Sequence, residues 1–289
     1  MMKSNPSYPL LTRILLPVLV ILFSISCERS ETIVDYNAET KTDVAYGDDP
    51  KQKIDLYLPD NRNQLSTKLI VLVHGGGWSD GDKIDLNSLI PFLQTRLPEY
   101  AIANINYRLA RNGQNLFPTQ ENDVKKAVDY LLNHANELGY SKKIVLIGLS
   151  AGAHLALLHA YKYPSNVEGV VTFFGPTDLI ALYNNPPGPY IPQMLQAVTG
   201  ATPTSNAALY MQSSPTSFIN SRSAATLILQ GGKDPLVPAS QAELLKTKLE
   251  ANHVATTYVF YPNEAHGWTG TSLEDSFNQI KIFLNANVN

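Results

Sequence analysis

Strand-like and helix-like segments alternate along this chain from residue 68 to its C-terminus, and this alternation limits the folds open to it. Short apolar runs typical of strands buried on both faces occur at residues 68–73, 100–105, 144–147, 169–174, 226–229 and 257–261. Helical spacing of apolar residues occurs between them, at 86–97, 122–138, 151–161, 239–251 and 272–284. Two strands joined by a crossover helix run parallel. The sequence therefore predicts an α/β protein with a mostly parallel sheet and helices on both faces.

Two regions depart from this alternation of strands and helices. Ile54, Leu56 and Leu58 alternate with more polar residues, which is the pattern of a half-buried strand, and a further strand is expected near residues 43–46. We expect these early strands to form an antiparallel edge of the sheet. Residues 181–220 carry six prolines between two strand-like runs, so they are predicted to be a partly helical cap inserted over the sheet.

The composition is that of one folded domain with a full hydrophobic core. The chain has 289 residues, of which 44% are hydrophobic, including 15 Tyr and 9 Phe. At this length roughly three quarters of the unfolded surface can be buried, and a disordered, collagen-like or coiled-coil chain is excluded. The formal net charge of −3 offers no basic surface to nucleic acid, whose phosphates require clustered Lys and Arg. A single Cys excludes an intrachain disulfide and a Cys-based zinc site.

The N-terminus has the organisation of an export signal. Lys3 and Arg13 precede a mostly apolar run at residues 14–25, which is too short to cross ~30 Å of hydrocarbon but suits the central region of a secretory signal. This run ends beside Cys27, the only cysteine of the chain. A small residue directly before a Cys at this place resembles a bacterial lipoprotein signal. The resemblance implies cleavage before Cys27 and acylation of the new N-terminus.

This resemblance predicts the layout of the chain and its location. We expect residues 1–26 to be a lipoprotein signal peptide, residues 27–42 a tether and residues 43–289 the folded domain. The protein is then secreted across the bacterial inner membrane and lipid-anchored to the cell envelope, periplasmic or surface-facing, with Cys27 as its membrane attachment. Two alternatives stay open, which are an ordinary cleaved signal and an uncleaved N-terminal anchor with an incidental Cys27.

The pentapeptide Gly-Leu-Ser-Ala-Gly at residues 148–152 lies between a predicted strand and the helix that begins near Ala151. A Ser on such a tight turn is held in a strained backbone conformation and needs small neighbours. The helix N-terminus behind it adds a dipole that favours developing negative charge. This placement favours Ser150 as a nucleophile over its alternative role as a helix N-cap.

Three consecutive glycines follow the predicted strand 68–73, in the sequence His-Gly-Gly-Gly-Trp at residues 74–78. Glycines let backbone N–H groups face a ligand without hindrance, as an oxyanion hole requires. We expect the N–H groups of Gly76, Gly77 and Ala151 to face the tetrahedral oxygen, and His74 to brace the loop. A phosphate-binding loop is disfavoured, because neither a Lys-Ser/Thr ending nor G-x-G-x-x-G spacing is present.

Asp234 and His266 each follow a predicted strand, at the edge where ligands bind in open parallel sheets. A nucleophilic Ser needs an imidazole to take its proton, and the imidazole needs a carboxylate to orient it. Ser150, Asp234 and His266 supply these groups in that chain order. His154 and His159 lie five residues apart on a predicted helix, which is the wrong spacing for a shared metal ion, so no metal site is expected.

Five motifs together resemble one superfamily of enzymes. They are HGGGW at residues 74–78, NYRL at 106–109, GLSAGAHLA at 148–156, GGKDPLVP at 231–238 and EAHGW at 264–268. They resemble the α/β-hydrolase superfamily, in particular its acetyl-esterase/hormone-sensitive-lipase-like branch and the bifunctional feruloyl and acetyl-xylan esterase group. Leu149 stands where the lipase-like branch usually has Asp, which favours the second group.

The resemblance covers about residues 40–286 and carries several expectations. It implies an α/β-hydrolase catalytic domain with an eight-stranded sheet, a short cap at about residues 181–220, no metal or organic cofactor, and hydrolysis of carboxylic esters. We expect a serine carboxylesterase acting on acetyl or feruloyl groups of small or oligosaccharide esters, with Trp78 and Trp268 binding substrate. The alternatives are a peptidase or amidase that uses the same three residues, and a non-catalytic anchored binding lipoprotein.

Overall fold

An eight-stranded sheet organises the part of the chain that this computed structural model describes, residues 1–2 and 36–288. Its strands are β1 (Glu39–Ala45), β2 (Lys53–Leu58), β3 (Lys68–Val73), β4 (Tyr100–Ile105), β5 (Ile144–Leu149), β6 (Val167–Phe173), β7 (Ala225–Gly231) and β8 (Thr256–Tyr261). They lie in the order β1-β2-β4-β3-β5-β6-β7-β8. Strand β2 pairs antiparallel with β1 and with β4, and the other pairs are parallel. The predicted parallel sheet with an antiparallel edge is confirmed.

Strand β1 begins within the range that the sequence assigned to a tether. It starts at Glu39 and pairs with β2 from Glu39 opposite Leu58. The edge of the sheet thus begins before residue 43. Cys27 and all but the first two residues of the predicted signal peptide lie outside the described residues. Within the described part of the chain, no helix has the length and apolar character needed to cross a membrane.

Nine α-helices accompany the sheet in the described part of the chain. They are α1 (Ile90–Arg96), α2 (Thr119–Asn133), α3 (Ala135–Leu138), α4 (Ala151–Lys162), α5 (Leu179–Asn184), α6 (Tyr190–Thr199), α7 (Ala207–Gln212), α8 (Ala239–Ala251) and α9 (Gly270–Asn287). The helices predicted at residues 151–161, 239–251 and 272–284 are confirmed as α4, α8 and α9. The segment predicted as a helix at residues 122–138 is divided at His134 into α2 and α3.

The helix predicted at residues 86–97 is a 3₁₀ helix, Lys83–Leu89, followed by α1. Asp82 and Asp85 form a capping box that starts the 3₁₀ helix earlier than predicted. Pro91 has no N–H that could donate to the carbonyl of Asn87. That carbonyl accepts a hydrogen bond from the N–H of Ile90 instead. The change from 3₁₀ to α geometry therefore falls where the proline interrupts the hydrogen-bond ladder.

Alternation along the strands divides the core into two layers. In β3, Leu69 and Val71 pack with apolar residues of α2, α4 and α8, whereas Ile70 and Leu72 pack with those of α1 and α9 on the opposite face. The prediction of helices on both faces is thus confirmed.

The cap lies between β6 and β7, as the prolines of residues 181–220 predicted. It contains α5, α6, α7 and a short 3₁₀ helix, Pro215–Ser217. Its apolar side chains, among them Ile191, Leu195 and Tyr210, are buried in the same layer as α4. The cap therefore packs on the same side of the sheet as α4.

His159 provides a test of this packing. It lies on α4 and is buried, and burial lowers its pKa from 6.5 to about 4. The unfolded chain binds a proton near pH 6.5 and the folded protein only near pH 4, so stability falls as the pH drops through this window. We expect the free energy of unfolding of the wild type to fall roughly 2–3 kcal/mol more than that of His159→Phe between about pH 7 and pH 4.5.

Urea unfolding at the two pH values measures this difference. His253 is exposed and has a positive φ of 58°, which Asn tolerates, so His253→Asn is the matched control and should keep the wild-type pH dependence. An equal pH dependence in wild type and His159→Phe contradicts the prediction.

Candidate active site

Ser150 occupies a strained turn between β5 and α4. Its φ of 54° and ψ of −120° lie outside the regions that side-chain-bearing residues favour. A Cβ at Gly148 would lie 2.3 Å from the carbonyl oxygen of Gly152, and a Cβ at Gly152 would lie 2.1 Å from that of Val73. Both glycines are therefore required by close backbone approach. The side chain of Ser150 makes no N-cap hydrogen bond, so the alternative role as a helix cap is wrong.

The structure brings Ser150, His266 and Asp234 together in one chain of hydrogen bonds. The carboxylate of Asp234 can only accept, so Nδ1 of His266 carries the proton that bonds Oδ2 at 2.8 Å. Nε2 is then free to accept from the Ser150 hydroxyl, 2.9 Å away. Three loops, after β5, β7 and β8, supply these side chains, as the sequence predicted.

Asp234 is held by the backbone of its own loop. Its side chain is fully buried, and Oδ1 accepts hydrogen bonds from the N–H groups of Leu236 and Val237 at 2.8 and 2.9 Å. The side-chain amide of Gln230 donates to the carbonyl of Val237 at 3.1 Å and thereby closes the loop. These hydrogen bonds fix the position of the carboxylate that bonds His266.

Contacts of His74 and Tyr107 hold the glycine loop after β3, which is residues 74–78. His74 stacks on Tyr107 with ring centroids 4.3 Å apart, and the Tyr107 hydroxyl donates to the carbonyl of His74 at 2.9 Å. The His74 ring donates through Nδ1 to the carbonyl of Gly75 at 2.7 Å. Burial lowers the pKa of His74, which favours the neutral ring. These contacts agree with the predicted bracing role of His74.

The three predicted oxyanion donors lie around the loop and the start of α4. Gly77 and Ala151 line a pocket beside Ser150. Gly76 has a φ of 103°, and a Cβ there would lie 2.0 Å from the carbonyl oxygen of Asp80. Gly76 therefore turns the loop so that Gly77 faces the pocket, while Gly76 itself is not among the lining residues.

The pocket beside Ser150 is small and apolar. Its volume is about 90 Å³, well below the roughly 300–1,000 Å³ of sites for drug-sized ligands. The cap supplies one wall, and the loop that carries Asp234 supplies another. The lining residues besides Ser150 are Gly77, Trp78, Ala151, Pro176, Leu182, Tyr190, Ile191, Met194, Leu236 and Val237. Such a pocket accommodates a short apolar group next to the Ser150 hydroxyl.

The two tryptophans expected to bind substrate differ in position. Trp78 lines the pocket, although only 2% of it is exposed. Trp268 is buried among aromatic rings and its Nε1 donates to the Ser276 hydroxyl at 2.8 Å. It is not among the residues that line the described pocket. Gly267, which separates Trp268 from His266, has a φ of 100°, and the expected role of Trp268 in substrate binding stays a prediction.

His154 links the site to the cap, a role that the sequence analysis missed. Trp78 donates through Nε1 to Nδ1 of His154 at 3.1 Å, so the proton of the neutral ring is on Nε2, which donates to the carbonyl of Ser213 at 2.6 Å. Burial lowers the pKa of His154 to about 4. The available signal was spacing, since His154 lies one helical turn after Ser150.

Solved structures share this fold. A bifunctional GH43-CE protein of Bacteroides eggerthii covers 86% of this chain with a TM-score of 0.75 and 24% sequence identity, and this chain covers 38% of it. A truncated carbohydrate esterase from gut microbiota covers 86% with a TM-score of 0.70 and 21% identity, and 98% of that chain is covered. At these identities the likeness establishes the fold alone.

Comparison with known sequences identifies a relative and a family of this chain. Esterase LipC of Mycobacterium tuberculosis is 23% identical over 263 residues, which is 84% of this chain. The match covers 64% of LipC, so this chain spans less than two thirds of that relative's length. Residues 54–249, most of the chain, match the BD-FAE family. The chain therefore belongs to the BD-FAE family and has the α/β-hydrolase fold.

Proposed function

We propose that this protein is a serine carboxylesterase in which Ser150, His266 and Asp234 form the catalytic triad. The observation that carries the proposal is the unbroken hydrogen-bond chain from the Ser150 hydroxyl through His266 to Asp234, placed beside a pocket. A relative named as an esterase supports the same chemistry. The non-catalytic alternative has no such support, since all three side chains are present and aligned.

The reaction proceeds in two acyl transfers. The Ser150 oxygen attacks the ester carbonyl while its proton passes to Nε2 of His266, 2.9 Å away. The tetrahedral intermediate collapses as His266 returns that proton to the leaving alcohol, which leaves an acyl group on Ser150. Water then attacks the acyl carbonyl and gives a proton to Nε2, and the acid leaves as Ser150 recovers its proton. Asp234 stays ionised and fixes the ring throughout.

Backbone N–H groups stabilise the oxyanion in this proposal. Gly77 and Ala151 line the pocket at Ser150, and Gly76 completes the set of donors on the same loop. The first turn of α4 begins at Ala151, so its dipole also favours negative charge there.

The proposed acyl groups are short or aromatic, such as acetyl or feruloyl, and the proposed alcohol is a carbohydrate. The pocket of about 90 Å³ supports a small acyl group. Tyr190 is 45% exposed at the rim and its hydroxyl donates to the carbonyl of Pro235 at 3.1 Å, which fixes a flat face suited to a sugar or feruloyl ring. The similar fold of a carbohydrate esterase supports this substrate class.

We further propose that the protein is exported and anchored by lipid on Cys27. The apolar run at residues 14–25 and the single Cys directly after Ser26 support this. Anchoring at the cell envelope places the active site where acylated extracellular carbohydrates are found.

Removal of the triad side chains tests the proposed mechanism. With a short-chain aryl ester such as 4-nitrophenyl acetate, we expect kcat to fall by about 10⁶ in Ser150→Ala and similarly in His266→Ala. Asp234→Asn should lower kcat by about 10⁴, because the wrong tautomer of His266 is favoured.

Ser66→Ala is the matched control, because Ser66 is exposed and lies before the start of β3, whereas the glycine loop follows the end of that strand, and it should keep wild-type activity. A Ser150→Ala protein with a tenth of wild-type activity rules out the triad. 4-Nitroacetanilide is the amide that corresponds to 4-nitrophenyl acetate. If the protein hydrolyses this amide at a rate near that of the ester, the amidase or peptidase alternative is favoured.

The small volume of the pocket predicts a limit on acyl chain length. Turnover should be poor beyond about eight acyl carbons. Met194 stands against Gly77, where a Cβ on that glycine would lie 3.0 Å from the Met194 sulfur. Met194→Ala should therefore extend the pocket, and each methylene newly accommodated adds about 0.8 kcal/mol, or about fourfold in kcat/KM.

Kinetics on a series of 4-nitrophenyl esters from two to sixteen carbons measure this limit. Met211 lies on α7 of the same cap and is 54% exposed, so Met211→Ala is the matched control and should leave the chain-length profile unchanged. Hydrolysis of the sixteen-carbon ester as fast as the acetate contradicts the prediction of a short acyl site.

Mass spectrometry of the membrane fraction tests the anchor. We expect an acylated N-terminal Cys27 with residues 1–26 absent, and Cys27→Ala should release the protein from the membrane. A mature chain that begins after Cys27 and is soluble in both wild type and Cys27→Ala overturns the proposal and favours an ordinary cleaved signal.

A further inference from the structure

The His266 ring is in contact with Phe174, which is not one of the three proposed triad residues. The two ring centroids lie 4.5 Å apart with their planes 56° to each other. Phe174 is 6% exposed and follows directly after β6. The ring is thus an apolar, buried neighbour of the imidazole that moves protons in the proposed reaction.

The backbone and its neighbours hold Phe174 in this place. Its φ is 42°, an uncommon value for a bulky residue, and its N–H donates to the carbonyl of Leu229 on β7 at 2.8 Å. Trp268 makes a T-shaped contact with the Phe174 ring, with ring centroids 5.3 Å apart and planes at 77°, and is itself held by Ser276. A strained backbone that is kept in place by two further contacts indicates that the position of this ring matters.

Few charges face the His266 ring from the elements packed against it. From the loop after β7, Asp234 bonds Nδ1. On the loop of His266 itself, Glu264 accepts from the Ser272 hydroxyl of α9 at 2.7 Å and is engaged there. Ser150 and Phe174, from the other two sides, are uncharged. Besides the Asp234 carboxylate, the Phe174 ring is therefore the group in contact with His266 that can favour its cationic form, because π electrons attract a neighbouring cation.

We propose that Phe174 is a positioning residue that holds the His266 ring on line with Ser150 and stabilises its imidazolium form during acyl transfer. The proposal rests on the proposed function, since the imidazolium arises when His266 takes the Ser150 proton. It also accounts for the place of Trp268, which backs Phe174 and so supports His266 indirectly without touching the pocket.

The proposal is tested by titrating the ring protons of His266 by NMR in the resting protein. Leu keeps the apolar burial of position 174 but removes the ring, so Phe174→Leu separates the π contribution from desolvation. We expect the midpoint of the His266 titration to move down by about 0.5 pH unit in Phe174→Leu. Phe174→Tyr, which keeps a ring, should keep the wild-type midpoint.

Phe173→Leu is the matched control. Phe173 belongs to the same aromatic cluster, with its ring 6.1 Å from Phe174 and 5.9 Å from Trp268. The same substitution there removes a neighbouring ring and keeps the ring contact that Phe174 makes with His266. In Phe173→Leu, the midpoint of the His266 titration should stay at the wild-type value even if the variant is less stable. An unchanged midpoint in Phe174→Leu, or an equal shift in Phe173→Leu, overturns the proposal. Phe174→Met, with the same expected shift, replaces Phe174→Leu if that variant does not fold.

Kinetics separate this proposal from the proposed function. The acid limb of the kcat/KM profile should move down with the NMR midpoint, and kcat of Phe174→Leu should fall about threefold to tenfold. If the wild type hydrolyses no ester, the proposed function fails, while the NMR titration still decides whether Phe174 stabilises the imidazolium. If the wild type hydrolyses esters, but Phe174→Leu changes neither the NMR midpoint of His266 nor the acid limb of the kcat/KM profile, then the proposed role of Phe174 fails and the proposed function stands.

Discussion

The close contact between α4 and β3 is the constraint on which the candidate site depends. Gly152 lies so near the carbonyl oxygens of Val73 and His74 that a Cβ would fall 2.1 and 2.3 Å from them. This approach presses the start of α4 against the end of β3, where the glycine loop begins. The nucleophile and the loop that would hold the oxyanion are therefore positioned by one contact between two backbones, and a side chain at position 152 disturbs both.

Around that contact, the buried side chains of His154 and Asp234 each make hydrogen bonds to more than one partner. His154 is neutral, because burial lowers its pKa to about 4, and it joins Trp78 on the glycine loop to Ser213 at the cap. The carboxylate of Asp234 accepts from two backbone N–H groups as well as from His266. Each hydrogen-bonded group thus ties one loop to another, which limits the motion of the site before substrate arrives.

The sequence predicted well which three polar side chains lie together at the candidate site, and predicted their surroundings poorly, for a physical reason. Ser150, Asp234 and His266 each follow a strand, and the ends of parallel strands meet at one edge of the sheet, so their proximity follows from topology. Trp268 is only two residues from His266, yet it points into the core because Gly267 reverses the chain between them. Neighbouring positions in a loop do not share a face in any fixed period, so sequence spacing carries no information about them.

What the sequence by itself determined is the class of fold and the identity of the three polar side chains that meet at the candidate site. The periodicity of apolar residues predicts strands and helices because it reports which side of each element is buried. Only the tertiary structure decided the order of the strands, the small volume of the pocket under Met194, and the contact of Phe174 with His266. These features join residues far apart in the chain, and their distances depend on how side chains from several elements fill one common space.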